Sequence, residues 1–172
     1  MASSPIFSGQ IISVDVEEHE LPNGRRGRFE IVRHNGGAAV LPILNDGRLV
    51  LIRQYRAAVG RTLVEIPAGR LEGNESPEAC ITRELAEEAG YRAGQLSPLG
   101  KMLSSPGFCD ETIHLFVARQ LTPIPPSPEE DEVIEPLLLS PTAARQLLQQ
   151  GGIVDSKTQL ALLLYFSTED AP

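Results

Sequence analysis

Short apolar runs with a two-residue period, separated by Pro, Asn, Asp and Gly, dominate the first two thirds of the chain and predict strands joined by turns. Residues 6–21 and 25–34 read as two strands linked by Pro22-Asn23-Gly24, and Ala38–Leu44 and Arg48–Arg56 as two more linked by Asn45-Asp46-Gly47. A short extended piece, Leu63–Pro67, runs into a glycine-punctuated loop. The period then changes. Ser76 as N-cap and Pro77 in the first position open a helix that stops at Gly90. Strands near 95–104 and 112–119 follow. Thr122–Glu132 carries four prolines and four acids and is expected to be a loop. A strand at 133–139, a helix Pro141–Gln150 capped by Ser140 and ended by Gly151-Gly152, and a helix from Ser156 to Phe166 complete the chain. Strands and helices mixed without strict alternation predict an α+β or α/β sandwich around a mixed sheet.

Composition changes this picture little. The 172 residues fit one globular domain with a small appendage, and 41% apolar content supplies a core without any tryptophan. A net charge of −8 argues against a nucleic-acid partner, which requires a basic surface. Acidity does not exclude small phosphorylated ligands, because bound divalent cations reverse the local field. Lys101 and Lys157 are the only lysines; the other basic residues are arginines, whose forks match phosphate geometry. Cys80 and Cys109 give neither a disulfide framework nor zinc spacing. With no signal-like N-terminus and no apolar stretch near the roughly 20 residues of a membrane span, a soluble cytoplasmic protein is expected.

Chemistry concentrates on the helix after Ser76. At 100° per residue, Ala79, Thr82, Leu85, Ala86 and Ala89 share one side, expected to pack on the sheet. Glu84, Glu87 and Glu88 share another side at spacings of three and four, where like charges repel by a few tenths of a kcal/mol per pair. Arg83 is expected to project away from the centre of this cluster, and Cys80 to lie beside it without a role. A hard divalent cation would turn the repulsion into coordination. On the triad alone, a solvated acidic helix face is an equally good reading.

The surrounding residues decide between the two. Gly69, Glu75, Arg83, Glu84, Leu85, Glu87, Glu88, Gly90 and Tyr91 fill every fixed position of a pattern that resembles the Nudix box. The resemblance implies an α/β/α Nudix sandwich around a mixed sheet, with a small antiparallel N-terminal element. It implies Glu84 and Glu88 as main ligands of magnesium, or of manganese, with Glu87 close by and the Ala68 carbonyl as a further ligand. Arg83 and Glu75 would brace loop against helix.

Outside the box, Arg53-Gln-Tyr-Arg56, Glu65-Ile-Pro-Ala-Gly69, the acidic loop Glu129–Glu132 and Asp155-Ser-Lys-Thr158 resemble ADP-ribose pyrophosphatases. Pro106, 16 residues past Gly90, resembles that subfamily's marker proline, while Cys109 stands where serine or threonine is usual. The resemblance implies Arg28, Arg56 and Glu72 as substrate contacts, and Phe29 could stack on the base. Two or three cations would bridge the pyrophosphate and activate water, giving AMP and ribose 5-phosphate. Rival substrates are GDP- or ADP-sugars, and a rival of another class is a sensor that binds ADP-ribose without cleaving it. Glu130 is expected as the general base, with Glu87 the alternative and Glu132 a further metal ligand. Residues 1–35 are expected to be exchanged in a homodimer, because two strands alone make no stable sheet, with residues 36–172 as the hydrolase domain. His19, His34 and His114 are assigned to strands without a function.

Overall fold

The computed structural model describes residues 3–127 and 132–169. The expected strand at 6–21 is corrected to a hairpin: β1 (Ser3–Ser8) and β2 (Ile12–Glu20) pair antiparallel, and β3 (Arg26–His34) pairs with β2. The chain reverses after Ser8, where the Gly9 N–H donates to the Ile12 carbonyl at 2.9 Å. Doubling back satisfies the backbone groups of β1 within the chain, which one long strand would leave on an open edge. The N-terminal element is therefore a three-stranded sheet, ordered β1-β2-β3. The argument that two strands need a partner no longer applies to it.

Two further sheets build the body. β4 (Gly37–Pro42), β7 (Ala68–Arg70), β8 (Tyr91–Leu103) and β9 (Thr112–Pro123) are ordered β7-β4-β9-β8. β4 runs parallel to β9 and the remaining pairs are antiparallel, so the sheet is mixed as expected. β5 (Leu49–Arg56), β6 (Arg61–Glu65) and β10 (Ile134–Leu139) form an antiparallel sheet ordered β10-β5-β6. The helices are α1 (Pro77–Ala89), α2 (Pro141–Gln149) and α3 (Ser156–Glu169).

The two-residue period of the strands explains the layering. Ala38 and Val40 of β4, and Phe116 and Ala118 of β9, join Ile81, Leu85 and Ala89 of α1 in one core. Their neighbours Ala39, Leu41, Leu115 and Val117 point the other way and join Ala161, Leu162, Tyr165 and Phe166 of α3. Helices thus cover both faces, and the chain is the expected α/β/α sandwich.

The boundaries moved where turns are tight. Gly90 adopts φ 72°, a left-handed conformation suited to glycine, and its N–H donates to the Leu85 carbonyl. This cap turns α1 straight into β8, which starts at Tyr91 rather than near 95, and Tyr91 pairs with Pro123. β9 therefore extends into the stretch expected to be a loop. Among the described residues no helix is long and apolar enough to cross a membrane.

α1 buries a different face from the one expected. Ala79 and Thr82 are exposed, whereas Cys80, Ile81, Glu84, Leu85, Glu88 and Ala89 are buried. Ile81 and Leu85 carry more apolar area than Ala79 and Ala86, so the helix rotates towards them. That rotation carries Glu84 and Glu88 under the sheet edge.

Candidate active site

Three segments hold the site: α1, the β6–β7 connection with β7, and the chain entering β10. The contact between α1 and β7 is unusually close. A Cβ added to Gly69 would lie 1.7 Å from Glu84 Oε1, so any side chain there would displace the Glu84 carboxylate. Beside it, the Ala68 N–H donates to Glu88 Oε2 at 2.8 Å. The Cys80 thiol, expected to have no role, lies in the core and donates to the Gly69 and Arg70 carbonyls at 3.6 and 3.3 Å. Burial, with the charges of Glu75 and Glu84, pushes that thiol up to about 12.

Glu88 is 2% exposed, and its second oxygen, Oε1, has no hydrogen-bond partner among the described residues. Burial pushes Glu88 up to about 8; the Ala68 N–H opposes this, while the charges of Glu84 and Glu132 add to it. Glu84 is also raised by burial, opposed by Arg83 and reinforced by Glu87 and Glu132. Glu132, ahead of β10, is thus close enough to act on both carboxylates.

Arg83 does not project away from the cluster. Its Nη1 donates to Glu84 at 2.8 Å and to Glu87 at 3.0 Å, and its Nη2 donates to Glu75 at 3.2 Å. A long side chain one residue before Glu84 and four before Glu87 can curl back over both. Glu75 also accepts the Glu72 N–H at 2.9 Å, which ties the loop to the helix as expected. That backbone bond, with Arg83, holds the Glu75 carboxyl below its usual range.

Among the described residues, no three His, Cys, Asp or Glu side chains are gathered as a ready-made metal site. Arg83 occupies Glu84 and Glu87 in this conformation. The donor set nonetheless fits a hard cation: Glu88 Oε1 is buried without a partner, and the oxygens of Glu84 and Glu132 lie in the same electrostatic neighbourhood. Glu88 and Glu84 could hold a divalent cation once Arg83 releases Glu84.

The other expected site residues separate into two places. Arg56, at the end of β5, donates from Nε and Nη2 to Glu65 at 2.8 and 2.7 Å, and its charge lowers the pKa of Glu88. Phe29 and Pro106 lie in one open groove of about 600 Å³ with Ile31, Arg33, Leu103 and Phe108. Arg28 does not share that groove. Strand alternation turns it to the opposite face of β3 from Phe29, opposite Glu18 in the β2–β3 register. Glu72 lines a smaller polar hollow of about 290 Å³ with Arg70 and His34. Glu130 lies outside the described residues. His19, His34 and His114 stand in strands as expected.

Two groups were not singled out from the sequence. Lys157 is buried against Glu65 and Asp155, and Arg33 bridges Glu17 and Asp110 in the wall of the groove. The spacing of 29, 31 and 33 on one strand was a signal for Arg33. A lone lysine two residues after an aspartate, in an apolar segment, was a signal for Lys157.

The family model described as NUDIX domain matches residues 33–159. The chain belongs to the Nudix family. This Nudix chain is 41% identical over 164 residues to the ADP-ribose pyrophosphatase of Bacillus subtilis (strain 168), covering 94% of this chain and 89% of that one. It is 42% identical over 159 residues to the methanol dehydrogenase activator of Bacillus methanolicus, covering 91% and 86%. It is 38% identical over 147 residues to the GDP-mannose pyrophosphatase of Citrobacter koseri, covering 80% and 76%. A solved structure described as an ADP compounds hydrolase matches the fold with a TM-score of 0.86 at 24% identity, covering 98% of this chain and 91% of that one. The chain is a Nudix hydrolase, an enzyme acting on pyrophosphate bonds.

The environment of Glu88 predicts how the metal-free protein responds to pH. The folded chain keeps a proton on Glu88 that the unfolded chain releases above its ordinary value of 4.5. Stability is therefore full below that value and is lost as pH rises through about 8. Thermal melts in a chelator are expected to show the midpoint falling across this interval, and Glu88→Gln to remove most of the slope. Equal slopes in both proteins would contradict the assignment.

Proposed function

We propose that this enzyme hydrolyses ADP-ribose to AMP and ribose 5-phosphate with magnesium. The observation that carries the reading is the buried Glu84–Glu88 pair closed over by Gly69, with Arg56 beside it. Similarity to the Bacillus subtilis enzyme over most of both chains supports the choice of substrate. We assign two or three magnesium or manganese ions to Glu84 and Glu88, with Glu87, Glu132 and the Ala68 carbonyl completing their ligands. Bound there, the cations supply charge neutralisation on the pyrophosphate and make a coordinated water more acidic.

The chain's own residues position and polarise the substrate. Arg56 faces the phosphates with the guanidinium edge that Glu65 leaves free. The groove of Phe29 and Pro106 takes the base, with an aromatic ring on one wall, and Glu72 contacts the ribose side from the hollow beside it. Arg28 is retained as a substrate contact only through a partner chain, given its face of β3. Arg83 is assigned to the catalytic machinery as the group that holds Glu84 and Glu87 until cations bind. Phosphoryl transfer depends mainly on such positioning and on electrostatics.

The test of substrate is a panel of nucleoside diphosphate derivatives with magnesium, read by chromatography. ADP-ribose is expected to be consumed fastest. Intact ADP-ribose beside a consumed GDP- or ADP-sugar would move the substrate, and the relative at 38% identity makes GDP-mannose the pointed alternative. Binding without turnover would indicate the sensor.

We assign the general base to Glu130, two residues before Glu132, whose charge already reaches Glu84 and Glu88. Two residues span at most about 7 Å, a separation short enough for the assignment. Glu87 accepts a hydrogen bond from Arg83 at 3.0 Å and lies among the carboxylates assigned to the cations, which suits it to a ligand's place. Glu130→Gln is expected to lower kcat about 10²–10⁴-fold with magnesium affinity unchanged. Wild-type kcat in that variant, with Glu87→Gln inactive but still metal-bound, would put the base on α1.

We also propose a homodimer in the cytoplasm, with residues 1–35 exchanged between protomers. Ile6, Phe7 and Ile12 on the N-terminal sheet, and Ile11 in its first turn, are exposed, and among the described residues the strands of this sheet pair only with one another, apart from the bridge between Val32 and Cys109. Light scattering at micromolar concentration is expected to give twice the chain mass. A monomer would rule the exchange out.

A further inference from the structure

Behind the carboxylate cluster lies a second charged group that the reaction described above does not use. Glu65 is 1% exposed, and its oxygens accept two hydrogen bonds from Arg56 and one from Lys157 Nζ. Lys157, 8% exposed, also donates to Asp155 at 3.0 Å. The other oxygen of Asp155 accepts the Thr158 N–H at 2.9 Å and its hydroxyl at 2.6 Å. The Thr158 hydroxyl oxygen in turn accepts the Ile66 N–H at 2.9 Å. The start of α3 is thereby latched to the connection that leads from β6 to Ala68, the residue whose N–H holds Glu88.

The charges in this chain are matched: two carboxylates, one lysine and one arginine. A buried carboxylate needs a counter-ion, and the penalty for leaving it without one is large. If Arg56 were the only cation at Glu65, its charge would be spent there and its side chain drawn inwards. Lys157 supplies the second positive charge from behind. Arg56 then keeps its Nη1 edge without a bond to the described residues, and its charge reaches Glu88.

We propose that Lys157 is a positioning residue of the hydrolase: by sharing Glu65 from the buried side, it leaves Arg56 charged and aimed at the substrate's pyrophosphate. The inference rests on the reading that Arg56 contacts substrate. Lys157 touches neither substrate nor metal, and its effect passes through Arg56.

A double-mutant cycle on ADP-ribose hydrolysis at saturating magnesium tests this. Lys157→Met is expected to raise KM about tenfold or more, with a smaller change in kcat and an unchanged magnesium dependence. Arg56→Ala is expected to raise KM at least as far. In the Arg56→Ala background, Lys157→Met is expected to cost less than about twofold, because the two act as one unit. Thermal melts check that each variant is folded. If Lys157→Met does not fold, Lys157→Gln, which keeps a donor without the charge, runs the same cycle. Losses that multiply in full would overturn the relay and leave Arg56 as a substrate contact. An unchanged KM in Arg56→Ala would overturn the reading of Arg56, and the relay with it.

Discussion

The site depends on one contact, the backbone of Gly69 lying against the carboxylate of Glu84. A side chain there would displace that carboxylate, because a Cβ would sit 1.7 Å from Oε1. The absence of a Cβ lets β7 approach α1 closely enough for the Ala68 N–H to hold Glu88 and for the Cys80 thiol to hold the Gly69 and Arg70 carbonyls. The same approach removes water from Glu84 and Glu88. Desolvation raises both carboxyls and gives them a strong preference for any partner that restores charge balance. A surface row of glutamates would show no such preference. The glycine at the start of the box is therefore what turns an acidic helix face into a site.

Burial of the two glutamates also explains why the helix face was misjudged from the sequence. Counting small apolar residues favoured Ala79, Thr82, Leu85, Ala86 and Ala89, because carboxylates are rarely buried. Packing favoured the larger Ile81 and Leu85, and Cys80, Glu84 and Glu88 followed them inwards. Caps and turns were legible because their chemistry is local: Ser76, Pro77 and Gly90 bound α1 as read, and Ser140 caps α2. The break in the first strand was not legible. Gly9 is a weak turn signal on its own, and the hairpin becomes favourable only through its pairing with β2. The ion network around Glu65 joins residues 56, 65, 155 and 157, which are distant in sequence, so no local pattern could reveal their meeting.

The N-terminal sheet adds a second half to the molecule with its own logic. Ion pairs from Arg33 to Glu17 and Asp110, with the bridge from Val32 to Cys109, fasten the sheet to the loop that carries Pro106. Alternation along β3 then sends Phe29, Ile31 and Arg33 into one groove and Arg28 away from it. The groove is mostly apolar and the carboxylate cluster is charged, so the two halves suit the two ends of a nucleoside diphosphate. Box residues are absent from the groove's lining. The carboxylate cluster and the groove are thus built from different elements.

Electrostatics links the halves. The chain carries a net charge of −8, yet its ligand class is anionic. The arginines near the cluster do not resolve this by themselves: Arg83 is shared by Glu75, Glu84 and Glu87, and Arg56 is shared with Glu65. A pyrophosphate approaching such a site meets carboxylates whose charge is only partly balanced. Cations held by Glu84, Glu88 and Glu132 would reverse the local field and make that binding favourable. A cation held by Glu84 would also compete with Arg83 for that carboxylate. Metal binding and substrate binding would then be coupled through the same carboxylates. The acidity of the chain would be compatible with an anionic substrate through such cations, whose charge the carboxylates would hold in place.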